Sequence, residues 1–274
     1  MQSKKPLEGI LLISDMDGTL ITKDFHLPER NTIAIDRFIK KGGYFSVATG
    51  RPEYALIKYL DKVKLNAPAI VYNGSVIYDI NTNETIWYAC LPQSIKKILK
   101  IVMDEFTDVG VEIYAEGCVY IARQNDWTKN HIINENLNYK ISDVQNAPEQ
   151  WYKLLLSCDN KRLHEVFAFV KTLVFEGFYF VFTNIMFLEV LPDGISKGST
   201  LERLAKKLNI THENIVAIGD YYNDIEILQS AGLGVAVQGA PDEVLKVAGL
   251  TVGSCEGGAL ADIIEYLEEK YDCR

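Results

Sequence analysis

Ile10-Leu11-Leu12-Ile13-Ser14-Asp15-Met16-Asp17-Gly18-Thr19-Leu20 is the stretch on which the reading of this 274-residue chain turns. Its first four residues are aliphatic and bounded by Gly9 and Ser14, the pattern of a strand buried on both faces, as in a parallel sheet. Asp15 and Asp17 then lie at the C-terminal end of that strand, where open α/β sheets bind their ligands. Asp and Gly are also ordinary turn residues, so the pair alone reads equally well as a strand exit or as a chemical site.

Outward from this strand, Thr22 to Pro28 reads as a polar loop and Glu29 to Lys41 as a helix with Ile33, Ile35, Phe38 and Ile39 at helical spacing, stopped by Gly42-Gly43. A second strand, Tyr44 to Ala48, runs into Thr49-Gly50-Arg51-Pro52, with Pro52 placed to begin a helix to Leu65. Ala69 to Tyr72 and Ser75 to Tyr78 flank Asn73-Gly74 as a hairpin. This alternation of strand and helix predicts an α/β fold with a doubly wound, Rossmann-like parallel sheet. From Glu84 the texture changes. Strands at Thr85 to Ala89, Val111 to Tyr114, Val119 to Ala122, Tyr152 to Ser157, Tyr179 to Thr183 and Phe187 to Val190 mix with helices at Pro92 to Phe106 and Lys161 to Leu173, around a polar, Asn-rich Asn125 to Lys140. At Pro192-Asp193-Gly194 the α/β style resumes, with helices at Ser199 to Leu208, Ile225 to Ser230, Pro241 to Ala248 and Gly257 to Lys270, and strands at Ile215 to Ile218 and Gly234 to Val237. The expected organisation is a core of residues 1–83 and 191–274 interrupted by an α+β insertion of 84–190.

Bulk properties narrow the classes of function. A hydrophobic content of 48% supports packed cores, and a formal net charge of -9 argues against a nucleic-acid surface. The five cysteines are scattered singly and show no zinc or disulfide spacing, which suits a reducing cytoplasm. No run approaches the ~20 apolar residues of a membrane span, and the opening Met1 to Pro6 is too brief before the first strand for a signal peptide.

Three further stretches share the geometry of the opening pair, each at a strand end or a helix start: Thr49-Gly50-Arg51, Ser196-Lys197-Gly198 and Gly219-Asp220-Tyr221-Tyr222-Asn223-Asp224. Separately they read as a helix cap, a solvated lysine and a capping arrangement. Together they are hard to attribute to independent structural accidents.

With these residues in place, the chain resembles the haloacid dehalogenase (HAD) superfamily of phosphotransferases over essentially its whole length. Asp15-Met16-Asp17-Gly18-Thr19 matches the first motif, Thr49 the second, Lys197 the third and Gly219 to Asp224 the fourth. The insertion between the second and third motifs, with Val47 to Pro52, Tyr72-Asn73-Gly74 and Ser196-Lys197-Gly198, is similar to the Cof-type branch with a C2B cap. The resemblance implies a phosphatase for small phosphorylated metabolites, sugar phosphates first, with a cap whose motion excludes water during transfer.

Phosphoryl transfer needs an in-line nucleophile, a cation and a group that handles the leaving-group proton. In that scheme Asp15 is the nucleophile, and Asp17 protonates the departing oxygen and later takes a proton from water. Mg²⁺ is held by Asp15, Asp220 and the main-chain carbonyl of Asp17, and Asp224 either ligates it or orients its water. Gly18 keeps the turn open, Met16 offers its backbone N–H, Thr49 and Gly50 hydrogen-bond the phosphoryl group, Lys197 neutralises it, and Asn223 touches phosphoryl group or nucleophile. A phosphomutase of the same fold and a non-catalytic sugar-phosphate sensor are the rival readings. His26, His131, His164 and His212 share no metal or triad spacing and read as surface or satisfied histidines, and Cys118 as structural. Arg51 is expected to cap or pair near the site and Arg123 to meet an anionic substrate. The remaining expectations are a cytoplasmic monomer or homodimer with no nucleic-acid or membrane partner.

Overall fold

Strand β1 (Leu11–Ser14) is buried at every residue and is an interior strand of the principal sheet. The computed structural model describes residues 5–272. After β1 the chain forms α1 (Glu29–Lys40), β2 (Tyr44–Val47), α2 (Glu53–Leu60), β3 (Ala69–Val71), β4 (Val76–Asp79) and β5 (Glu84–Tyr88). Then follow α3 (Ile95–Glu105), β6 (Gly110–Ala115), β7 (Cys118–Arg123), α4 (Asp126–Glu135), β8 (Tyr139–Ile141), β9 (Lys153–Ser157), α5 (Asn160–Val170), β10 (Phe178–Asn184) and β11 (Phe187–Pro192). The last part holds α6 (Lys197–Leu208), β12 (Ile215–Gly219), α7 (Ile225–Gln229), β13 (Leu233–Val237), α8 (Asp242–Val247), β14 (Leu250–Val252) and α9 (Ala259–Asp272).

The chain divides into two compact units, residues up to Trp87 together with those from Ser196 onward, and Tyr88–Ile195. In the first, five parallel strands lie in the order β14-β13-β12-β1-β2, so the fold is the α/β parallel sheet that the alternating pattern predicts. Leu11 and Ile13 point into a core shared with Leu201 and Leu204 of α6 and Ile227 and Leu228 of α7. Leu12, between them, serves the opposite face, as strand alternation requires. A small second sheet, β3-β4-β5, stays with this unit. That pairing carries the unit past the expected boundary at Glu84. At the other end, Tyr179 Oη donates to the Ile195 carbonyl (2.6 Å) and keeps the chain with the second unit to that residue.

The second unit is a six-stranded sheet, β10-β11-β9-β6-β7-β8, antiparallel except where β7 meets β8. One face packs Val111, Ile113, Leu154, Leu156, Leu188 and Val190 against α3 and α5. Within Asn125 to Lys140, which carries no element in the sequence reading, the structure forms α4 and β8. Asn125 caps α4 by accepting from the Thr128 amide, and Asn136 ends it in the left-handed region. Arg123 donates to the Phe106 and Met103 carbonyls (2.6 and 2.8 Å), so it caps the C-terminal end of α3.

A buried polar network lies on residues of β6, β9 and β11. Lys153 Nζ meets Glu189 (2.9 Å), which also accepts from Thr183 (3.0 Å). Tyr114 Oη donates to Glu112 (2.9 Å), and His131 of α4 is paired with the same carboxylate (2.9 Å). Burial opposes the imidazolium of His131, but the charges of Glu112 and Glu135 outweigh it and raise its pKa from 6.5 to about 10. A raised pKa gives stability that is complete below the unfolded value and is lost as pH climbs through the folded one. The urea midpoint of the protein is therefore expected to fall between pH 6.5 and about 10, and His131→Gln to flatten that fall. Identical pH slopes in the two proteins would show that no such charge is held. Among the described residues no helix is long and apolar enough to cross a membrane, and Cys90, Cys118, Cys158 and Cys255 are free thiols.

Candidate active site

Strands β2, β1 and β12 are neighbours, so the segments that follow them emerge side by side. Asp15 extends the ladder by one residue, its amide donating to the Ile218 carbonyl (2.8 Å), and Thr49, just beyond β2, donates its amide to the Ile70 carbonyl of β3 (2.9 Å). The chain then turns at Gly18, whose φ is +89°. A Cβ at that position would run into the Asp220 carboxylate, so glycine is needed both for the turn and for the approach of the two loops.

Oxygens of Asp15, Asp220 and Asp224 lie within 4.8 Å of one another. Lys197, only 1% exposed, presents Nζ to Asp15 (2.6 Å) and Asp224 (2.7 Å) from the first residue of α6. Asp224 turns its other oxygen to the amides of Asp220 and Tyr221 (3.0 and 3.1 Å), which fixes the loop after β12. Thr19 donates to Asp220 (2.7 Å). Met16 buries its side chain, while its carbonyl accepts from the Leu20 and Ile21 amides.

One ammonium cannot balance three crowded carboxylates. Burial, then Asp224, pushes the Asp15 carboxyl well above the ordinary range against the pull of Lys197. Burial and Asp224 also raise Asp220 to about 7, although the Thr19 hydrogen bond opposes this. Burial works against the Lys197 ammonium, yet Asp15 and Asp224 outweigh it and hold its pKa above that of a free lysine. The Cys255 thiol is pushed up to about 12, mainly by burial, with Glu256 and Asp220 adding to it.

The turn Tyr72–Gly74 locks the other two loops together. Asn73 donates its amide to the Thr49 carbonyl (2.9 Å), and Tyr72 its amide to that of Arg51 (3.0 Å). Gly74, at φ +105°, lies so close to the Ser196 carbonyl that any side chain would collide, and its own carbonyl accepts from Thr200 (2.7 Å). Asn223 reaches the same turn by donating to Asn73 (3.1 Å), and Gly50 sits against the Asn73 amide group. Asp17 is not among the three carboxylates whose oxygens converge, although its charge is felt by Asp15 and Asp220. Its side chain is 47% exposed and is gripped by Arg51. The sequence reading puts Arg51 near the site with no partner named and gives Thr19, Asn73 and Cys255 no role there; the hydroxyl beside Gly18 is the local signal for Thr19.

A family model described as haloacid dehalogenase-like hydrolase matches residues 12–264. The chain belongs to this family. The comparisons with relatives agree: the chain is 27% identical over 232 residues to an HMP-PP phosphatase of Cronobacter sakazakii, covering 84% of this chain and 85% of the relative. A solved haloacid dehalogenase-like hydrolase of Bacteroides thetaiotaomicron shares the fold with a TM-score of 0.85 at 22% identity, covering 94% of this chain and 99% of that one. A subclass IIB sugar phosphatase of known structure shares it with a TM-score of 0.81 at 21% identity, covering 94% and 98%. As a hydrolase of this family, the chain presents on its parallel-sheet unit both a carboxylate cluster and a buried lysine.

Proposed function

We propose that this protein is a Mg²⁺-dependent phosphatase that hydrolyses small phosphorylated metabolites through an aspartyl phosphate on Asp15. The observation that carries the reading is the Lys197 ammonium held between Asp15 and Asp224 beside Asp220. Such an excess of negative charge repels a phosphate unless a cation joins it. The donors are all oxygens, the hard set that suits Mg²⁺. Asp15, Asp220 and the main-chain carbonyl of Asp17 would hold the ion. Asp224, with its oxygens already engaged by Lys197 and two amides, would orient a water beside it. When bound, the ion supplies neutralisation of the phosphoryl oxygens.

The chain's own groups supply the rest. An Asp15 oxygen bonds to phosphorus as the bond from phosphorus to the leaving oxygen breaks, and Asp17 gives that oxygen a proton. Asp17 then takes a proton from the water that hydrolyses the acyl phosphate. The Thr49 hydroxyl, with the Met16 and Gly50 amides, holds the phosphoryl oxygens, Lys197 neutralises them, and Asn223 steadies the rim through Asn73.

Sugar phosphates are the first substrate class to test and phosphorylated cofactors the second. With Mg²⁺, the protein is expected to release inorganic phosphate from p-nitrophenyl phosphate and from members of a panel of both classes, without a bisphosphate activator, and chelation is expected to stop it. Silence across the whole panel with Mg²⁺ present would sink the reading.

A further inference from the structure

We infer that Arg51 is the positioning residue for the Asp17 carboxylate and that Phe25 in turn fixes Arg51, an assignment that rests on the phosphatase reading above. The guanidinium engages Asp17 as a fork, Nε to Oδ2 at 2.7 Å and Nη2 to Oδ1 at 2.6 Å. Its side chain is 2% exposed, whereas that of Asp17 is 47% exposed. An ion pair with one exposed partner adds little stability, and sinking an arginine to make it incurs desolvation. What the arrangement provides is direction. A planar fork sets both the place and the plane of a carboxylate, and it occupies about two of the roughly four acceptor sites, leaving the others for a leaving-group oxygen.

Arg51 is itself tied down at its root and along its shaft. Its amide donates to Thr49 Oγ1 (3.1 Å) and its carbonyl accepts from Tyr72 (3.0 Å), so its backbone moves only with the loop beside the site. The Phe25 ring centre lies 5.5 Å from the guanidinium carbon, within cation–π range. Phe25 has φ 57°, a conformation that bulky residues rarely adopt and that persists only when the surroundings over-determine it. Here a tight turn imposes it. The Phe25 amide donates to the Thr22 carbonyl (2.9 Å), Thr22 donates to that of His26 (2.8 Å), and His26 donates to Thr22 Oγ1 (3.1 Å). A strained residue and a buried charge are thus spent on the orientation of one exposed carboxylate, the one assigned to the leaving-group proton.

The test is leaving-group dependence. Departure of p-nitrophenolate needs no proton, whereas that of an alkoxide does, and kcat/KM reads only steps up to departure. Arg51→Ala and Arg51→Lys are expected to lower kcat/KM for the best alkyl phosphate of the panel by about 10²-fold, and for p-nitrophenyl phosphate by less than about fivefold. Lysine keeps the charge but not the fork, so it should rescue little. Phe25→Ala should act in the same direction, by about tenfold on the alkyl phosphate, and it remains informative if an Arg51 variant fails to fold. Equal losses on both leaving groups, or full rescue by lysine, would overturn the assignment while leaving the phosphatase reading intact. Wild-type protein inactive on both substrates would remove that reading and this inference with it.

Discussion

Asp15→Asn is expected to lower phosphate release from p-nitrophenyl phosphate with Mg²⁺ present by on the order of 10⁴-fold or more, and to leave the metal-free protein at least as stable as the wild type. The first half follows from chemistry, because an amide is neither a nucleophile toward phosphorus nor an anionic ligand. The second follows from the site's electrostatics. The folded state raises the Asp15 pKa through burial and through Asp224, so at neutral pH the ionised carboxylate opposes folding, and its contribution improves only as pH falls. Asparagine removes that charge and still offers an oxygen to Lys197, which stands 2.6 Å away. Melting temperatures without metal check the stability, and initial rates check the activity. Undiminished turnover would remove Asp15 as the nucleophile.

Lys197→Met is the complementary case. It removes the single ammonium from a pocket of three carboxylates, two of which it touches. Loss of one partner from a buried ion pair typically costs about 3–5 kcal/mol, because the remaining charge is left uncompensated. A solvated surface lysine would cost within about 0.5 kcal/mol. Urea denaturation is therefore expected to show a loss in the larger range, part of which Mg²⁺ restores by binding the folded state. Turnover should stay near background even after that recovery, since the phosphoryl group loses its fixed cation. A variant of wild-type stability would mean that the acidic cluster is already neutral without Lys197.

The sequence makes the parallel sheet readable because its strands are short aliphatic runs ending in small or acidic residues. Ile10 to Ile13 and Ile215 to Ile218 have few alternatives to a doubly buried strand. The four loops are legible for the same reason, since each follows a strand end or starts a helix, and the structure brings Asp15, Asp220, Asp224 and Lys197 into contact range. What escapes is whatever depends on partners distant in the chain. Arg51 offers a Thr-Gly-Arg run in sequence, but nothing local says that its fork closes on Asp17 or that Phe25 lies over it. Arg123 looks like a free cation because the carbonyls that it caps belong to another element. Helix α4 is hidden by a composition rich in Asn and by its lack of a clear apolar stripe, although Asn125 and Asn136 mark its two ends once capping is considered. Strand β14 is only three residues long and only partly buried, too little pattern to register.

The placement of β1 also sets a timetable. One of its edges pairs with β2, which follows closely in the chain, and the other with β12, where Leu11 lies opposite Ile215. At ribosomal rates of ~5–20 residues per second, those about 200 residues correspond to roughly 10–40 s during which a buried, aliphatic strand carries a bare edge. The unit Tyr88–Ile195 is continuous and can finish folding in that interval. Lys197, Asp220 and Asp224 all emerge after it, so a chain still being made holds Asp15 and Asp17 but no assembled site, and any arrest of synthesis before β12 yields a protein that is both inert and prone to aggregate.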